Sequence, residues 1–170
     1  VATGLGIGVW GFWEFTHPPK DTNQEDNMAK IECTTNPGIT ELTSTQAPLK
    51  GKQLPNFTPV KSVDRLQCVD IKVGSGPAAS ASSTVTANYT GAVAATGVVF
   101  ESSLDSGQPI SIPLAQVIPG WTQGIPGMQP GGSRRLMIPA QLAYGANPPP
   151  NSGIPANAAL VFDITLISAQ

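Results

Sequence analysis

A chain of 170 residues, 40% hydrophobic and only 12% charged, can bury one ordinary core, and it carries 18 Gly and 17 Pro. Its formal charge of −2, with Arg134-Arg135 as the only adjacent basic pair, excludes the basic field that nucleic acid requires. With one histidine (His17), two cysteines, no D-x-D-x-D-G loop and no phosphate loop, the sequence offers no Ser-His-Asp triad, zinc site or EF-hand, so neither metal nor cofactor is expected.

The chain begins with "VATGLGIGVWGFW", which holds no charge before Glu14. Thirteen apolar residues are fewer than the roughly 20 that a transmembrane helix needs. The glycines at 4, 6, 8 and 11 are tolerated in a bilayer, and Trp10 and Trp13 suit its interface. Residues 1–15 are therefore read as the remnant of a membrane anchor or signal, with a loose apolar leader as the alternative. Residues 16–61 read as a stalk or linker, because "EFTHPPKDTNQEDN" is polar and no period of 2 or 3.6 emerges as far as about Val63. On this reading truncation before about Val60 leaves a folded domain. The anchor places that domain outside the cytoplasm on a membrane tether; a tethered cytoplasmic domain is the alternative. Cys33 and Cys68 are either a disulfide, as even pairs in oxidising compartments commonly are, or two unrelated buried thiols.

From Leu66 onward the pattern changes. "LQCVDIKVG" and "STVTANYTG" alternate, and "SRRLMIP" and "ALVFDITLIS" are runs rich in β-branched residues, so all four are strands. "PGWTQGI" has Pro at a plausible first helical position and room for two turns before Pro126. Strands, one short helix, then strands again give an α+β class in which an antiparallel sheet curls over the helix. Arg134-Arg135 reads as a solvated strand face. The sequons at Asn56 and Asn88 are discounted as chance matches.

Six blocks, "VTANYTG", "VFESS", "VIPGWTQGIPGM", "GGSRRLMIP", "LAYG" and "ALVFDITLI", occur in this order across about residues 62–170. Together they resemble the FKBP-type peptidyl-prolyl isomerase domain, the macrolide-binding immunophilins. The resemblance implies a sheet of about five strands around a short helix with an apolar pocket between them. It also implies cis-trans isomerisation of X-Pro bonds in polypeptide substrates by a monomer. Carried over by position, the pocket walls are Tyr89, Phe100 and Phe162, the floor is Trp121, and the rim is Val117, Ile118 and Tyr144. The Ile118 N–H and the Tyr144 hydroxyl would donate to substrate carbonyls, and Gln116, Ala143 and Ile154 would complete the substrate contacts.

The sequence departs from the family at several of these positions. The acidic pocket residue, usually Asp, is Glu101, one methylene longer, and two aromatic wall positions hold Ile110 and Ile112. The connection "PLAQ" is shorter, and the loop "GANPPPNSGIP" one residue longer, than in the best-known members of the family. Catalysis is expected with reduced macrolide affinity.

Each residue also has a plain structural reading. Phe100, Val117 and Phe162 suit any core; Trp121 suits a core plug, Tyr144 a turn, and Glu101 with Ser102-Ser103 a turn cap. A binding module that holds proline-containing segments without turnover is the alternative to an enzyme. The complete aromatic set favours the enzyme.

Overall fold

The computed structural model describes residues 31–36 and 38–170; the apolar segment 1–15 and His17 lie outside the described residues. Seven strands and two α-helices follow in order: β1 (Thr34–Thr35), β2 (Gln67–Lys72), β3 (Thr84–Val93), β4 (Val99–Ser102), α1 (Ser103–Ser106), β5 (Ile110–Pro113), α2 (Pro119–Gly124), β6 (Ser133–Ile138) and β7 (Leu160–Ala169). The sheet runs β1-β2-β6-β7-β3-β4, with β5 also on β3. All pairings are antiparallel except β1 with β2. The expected architecture of about five strands is thus extended by a two-residue parallel edge and by a divided one. β5 pairs with Thr84–Ala87 and β4 with Thr90–Ala92, both on the side of β3 away from β7. Between them lies α1, one helical turn capped by Ser102 Oγ, which accepts from the Leu104 N–H at 3.3 Å.

Side-chain alternation along β7 separates two layers. Leu160, Phe162, Ile164 and Leu166 join the main core beneath α2, whereas Val161 belongs to a second cluster on the opposite face. Helix α2 has only six residues, too few to be stable alone, and Pro119 starts it. It lies directly on β6. A Cβ at Gly120 would come within 2.4 Å of Ile138 Cγ2, and one at Gly124 within 2.7 Å of Leu136 Cδ1.

Arg134 and Arg135 are not a solvated face: both are buried. Successive strand residues point to opposite sides. Arg134 reaches the helix side, where its Nε donates to Asp70 Oδ1 at 2.6 Å and its Nη1 to the Gly124 and Pro126 carbonyls at 2.7 and 3.3 Å, satisfying acceptors at the end of α2. Arg135 turns to the other side and forms a bidentate pair with Asp163 at 2.6 and 2.8 Å. Burial pushes the Asp163 carboxyl up, and Arg135 opposes that shift.

Part of the segment read as a linker is bound across this second face. Leu42, Leu49 and Leu54 are buried there against Ala92, Val99 and Val161. Arg135 donates to the Asn56 and Pro55 carbonyls at 2.6 and 3.1 Å. The Asp105 carboxylate accepts from the Leu49 and Lys50 N–H groups at 2.6 and 2.8 Å, and the Val60 N–H donates to the Ala94 carbonyl at 2.9 Å. Upstream, Cys33 and Cys68 form a disulfide with Cα atoms 4.7 Å apart. No period was visible because this strap runs across strands, so its leucines fall where the sheet offers hollows.

Leu54→Ala therefore tests whether the strap belongs to the folded unit. A free linker would lose nothing, whereas a buried leucine should cost about 2–4 kcal/mol. Urea unfolding reads the difference; an unchanged midpoint would contradict the packing.

Candidate functional site

Four aromatic rings from four elements meet between the sheet and α2. Trp121 on α2 stands edge-on to Tyr89 of β3 at 5.6 Å between centroids and to Phe162 of β7 at 5.5 Å. Phe100 of β4 stands edge-on to Phe162 at 5.7 Å, and Tyr89 and Phe162 are 6.4 Å apart. The first three contacts are favourable edge-to-face arrangements and the last is tilted at 48°, so the rings orient one another.

The backbone beneath explains how they fit. A Cβ at Gly91 would lie 2.5 Å from Phe100 Cζ and 2.7 Å from Phe162 Cε1, so only glycine lets both rings cross β3 there. The register between β3 and β4 also shifts at Gly91/Ala92. That bulge brings both Phe100 and Glu101 to the helix side, although alternation would send them to opposite faces. Two serines fasten the same junction. Ser103 Oγ accepts from the Tyr89 N–H at 2.9 Å, and Ser102 Oγ lies 2.7 Å from Thr90 Oγ1. Ser102 caps α1, as the turn reading required, while Ser103 holds Tyr89.

The rim comes from two irregular segments. A 3-10 turn at Leu114–Gln116 leads into Val117 and Ile118, and Thr122 Oγ1 locks it by donating to the Leu114 carbonyl at 2.7 Å. Between β6 and β7, Ala143, Tyr144 and Ile154 come from one long loop, closed by the Asn157 N–H donating to the Gly145 carbonyl at 2.7 Å. All five rim residues are buried in the main cluster, and Ile110 and Ile112 of β5 pack against it half-buried. Of the residues expected in the site, Gln116 alone is exposed, one position before Val117.

Glu101 is the acidic member of this otherwise apolar group. Its half-buried carboxylate accepts from the Tyr89 hydroxyl, while Oε2 is buried without a hydrogen-bond partner among the described residues. Burial pushes the Glu101 carboxyl above its ordinary value, opposed by the Tyr89 hydrogen bond and by the charge of Lys50. Burial, followed by the Glu101 charge, pushes both tyrosines far above the usual phenol range. Both hydroxyls stay protonated donors through neutral pH. The site thus combines buried apolar walls with phenol groups that remain hydrogen-bond donors at neutral pH.

Sequence reasoning missed Gly91, which carried a signal as a glycine inside a strand, and it read Ser103 only as part of a turn cap, whereas its hydroxyl also accepts from the Tyr89 N–H of a separate strand.

Residues 61–167 match the sequence model of a family described as FKBP-type peptidyl-prolyl cis-trans isomerase. The chain is 42% identical over 112 residues to the FKBP-type peptidyl-prolyl cis-trans isomerase FkpA of Aeromonas hydrophila, which covers 65% of this chain and 41% of that protein. FK506-binding protein 4 of Dictyostelium discoideum is 41% identical over 123 residues, 72% of this chain and 33% of the relative. A solved peptidyl-prolyl cis-trans isomerase of Pseudomonas syringae superposes with a TM-score of 0.56 at 31% identity, over 71% of this chain and 85% of the other. The chain thus spans less than half the length of these two curated relatives.

Gly91→Ala should force Phe100 and Phe162 apart and destabilise the fold by about 1–3 kcal/mol. Near-UV circular dichroism and urea unfolding read the two effects; native ring signals at unchanged stability would show that the rings do not depend on this glycine.

Proposed function

Because the chain belongs to the FKBP-type peptidyl-prolyl cis-trans isomerase family, we propose that its aromatic site catalyses rotation about X-Pro peptide bonds in polypeptide substrates. The observation that carries this reading is the cluster of four aromatic rings, three of its contacts edge-to-face, walled by apolar rim residues and supplied with phenol donors.

Rotation about a peptide bond meets a barrier of about 18–20 kcal/mol because the nitrogen lone pair is delocalised into the carbonyl. The twisted amide has lost that delocalisation and is less polar than the planar one. A dry aromatic site therefore favours the twisted form over the ground state. A million-fold gain requires only about 8 kcal/mol. Trp121 is fully buried in the structure, so the prolyl ring reaches it, with Tyr89, Phe100 and Phe162 around it, only when the rim parts. Val117, Ile154, Ile110 and Ile112 keep water out. The Ile118 N–H and the Tyr144 hydroxyl fix the substrate carbonyls, with Ala143 and Gln116 at the margin.

Isoleucines at 110 and 112 and the longer acid at 101 favour weaker binding of macrolides. The Cys33–Cys68 disulfide supports an oxidising, extracytoplasmic setting. Among the described residues no helix is long and apolar enough to cross a membrane. Attachment to a membrane would rest on residues 1–15, which lie outside them. The domain is read as a monomer.

Tyr144→Phe removes one hydroxyl and should lower kcat/KM several-fold, about 1 kcal/mol, with the fold intact. Trp121→Ala removes the floor and should reduce it further. Exchange broadening of an X-Pro peptide in NMR measures both, and full rates in both variants would move catalysis elsewhere.

The pH profile should be flat from neutrality to about pH 9, because both phenols titrate above their ordinary value near 10. Any loss falls on the acid side, at a pH above the ordinary carboxylate range, and disappears in Glu101→Gln. Folding raises the Glu101 pKa, so its ionisation costs stability as pH climbs past the unfolded value. Glu101→Gln should accordingly gain stability relative to the parent as pH rises above the ordinary carboxylate value, and hold that gain at higher pH. A bell-shaped rate profile centred near pH 7 would contradict this reading.

A further inference from the structure

We propose that Asp105 of α1 is a positioning residue for the site: by gripping the strap it holds β4 and α1, and with them Phe100 and Tyr89, in place. The proposal rests on the aromatic cluster being the isomerase site.

The sheet leaves a gap beside that site. On the edge of β3 away from β7, β5 pairs with Thr84–Ala87 and β4 with Thr90–Ala92, so Asn88 and Tyr89 have no strand next to them there. Helix α1 fills the gap. Ser103 Oγ accepts from the Tyr89 N–H at 2.9 Å and donates to Asn88 Oδ1 at 3.0 Å, while Ser102 Oγ lies 2.7 Å from Thr90 Oγ1. Tyr89 is therefore placed only as well as α1 is.

A single helical turn cannot keep a position by itself. Its sheet side is fixed by the two serines and its far side by the strap. There both carboxylate oxygens of Asp105 are engaged: Oδ1 accepts from the Leu49 N–H at 2.6 Å and Oδ2 from the Lys50 N–H at 2.8 Å. Such charge-assisted bonds fix direction as well as distance. Asp105 is exposed, but Leu49 is 2% exposed, and Leu104 of α1 packs on the same second cluster, so the amides that Asp105 grips belong to a buried stretch of chain. The strap then continues along β4. The Gly51 N–H donates to the Val99 carbonyl at 2.8 Å, the Val99 N–H donates to the Lys52 carbonyl at 2.9 Å, and Gln53 bridges to Val98. Residues 98–105, which carry Phe100 and Glu101, are thus clasped between β3 and the strap. The strap lies outside the family-matched residues 61–167, so a segment beyond the match positions walls within it.

The test compares the full chain with Asp105→Ala and Asp105→Asn, each well below its unfolding midpoint, so that lost stability alone changes nothing that is read. In Asp105→Ala the Leu49 and Lys50 amides should exchange faster in D2O. The Tyr89 and Phe100 ring signals should shift in NMR while the Ile138 methyls beneath α2 do not, and kcat/KM for an X-Pro peptide should fall several-fold. Asp105→Asn keeps one acceptor oxygen and should lie between the parent and Asp105→Ala; it carries the same readings if Asp105→Ala does not fold. Leu49→Ala loosens the clasp from the strap side and should also lower kcat/KM, with a combined loss in the double variant smaller than the two single losses together. Unshifted ring signals, a shift that reaches Ile138 equally, an unchanged kcat/KM in the folded variants, or losses that simply add would each overturn the proposal and leave Asp105 a purely stabilising role. An inactive parent chain would overturn the isomerase reading instead, and ring signals and amide exchange would still decide the claim about Asp105.

Discussion

Close contact between α2 and β6 is the constraint on which the site depends. A six-residue helix contributes little stability of its own, so it must be held by what it touches. Gly120 and Gly124 allow its backbone to rest on Ile138 and Leu136, and Arg134 engages its end from β6 while anchored to Asp70 on β2. Trp121 is thereby driven to full burial against Tyr89 and Phe162. Side chains larger than glycine on this face would lift the helix, and with it the floor that the other three rings surround.

The two faces of the sheet divide the work. The helix side carries the aromatic site, and the opposite side carries a buried ion pair and the strap. Arg135 and Asp163 would be a poor way to gain stability alone, since removing two charges from water costs as much as their attraction returns. The pair also offers guanidinium donors to the Pro55 and Asn56 carbonyls, and Phe57 lies 5.6 Å from the same group. The charge thus selects one path for an irregular segment that has few regular backbone bonds of its own. Through Leu49 and Lys50 that path is fastened to Asp105 of α1, and through Gly51 and Lys52 to Val99 of β4.

Much of this was legible in the sequence, in unequal ways. β2, β3, β6 and β7 could be read from alternation and β-branched runs, and α2 from Pro119 and Pro126. The grouping of Tyr89, Phe100, Trp121, Tyr144 and Phe162 came from resemblance, because nothing in local pattern tells a pocket wall from a core residue. Arg134-Arg135 was misread since a strand sends neighbours to opposite faces, and both faces here are covered. Covering the second face requires the strap, whose leucines at 42, 49 and 54 follow the hollows of a sheet they cross and so show no period. The bulge at Gly91 was hidden for a related reason: it depends on the register with β4, which only the paired strands reveal.

The central claim is that this site lowers a rotational barrier by excluding water and fitting the twisted amide, with no proton in flight at the transition state. The solvent isotope effect addresses it most directly. The kcat/KM for a proline peptide would be measured in H2O and in D2O at matched positions on the flat part of the pH profile. The account predicts a ratio close to 1, since hydroxyl and amide donors keep their protons throughout. A ratio of about 2 or more would mean that a proton moves in the rate-limiting step, and would contradict it.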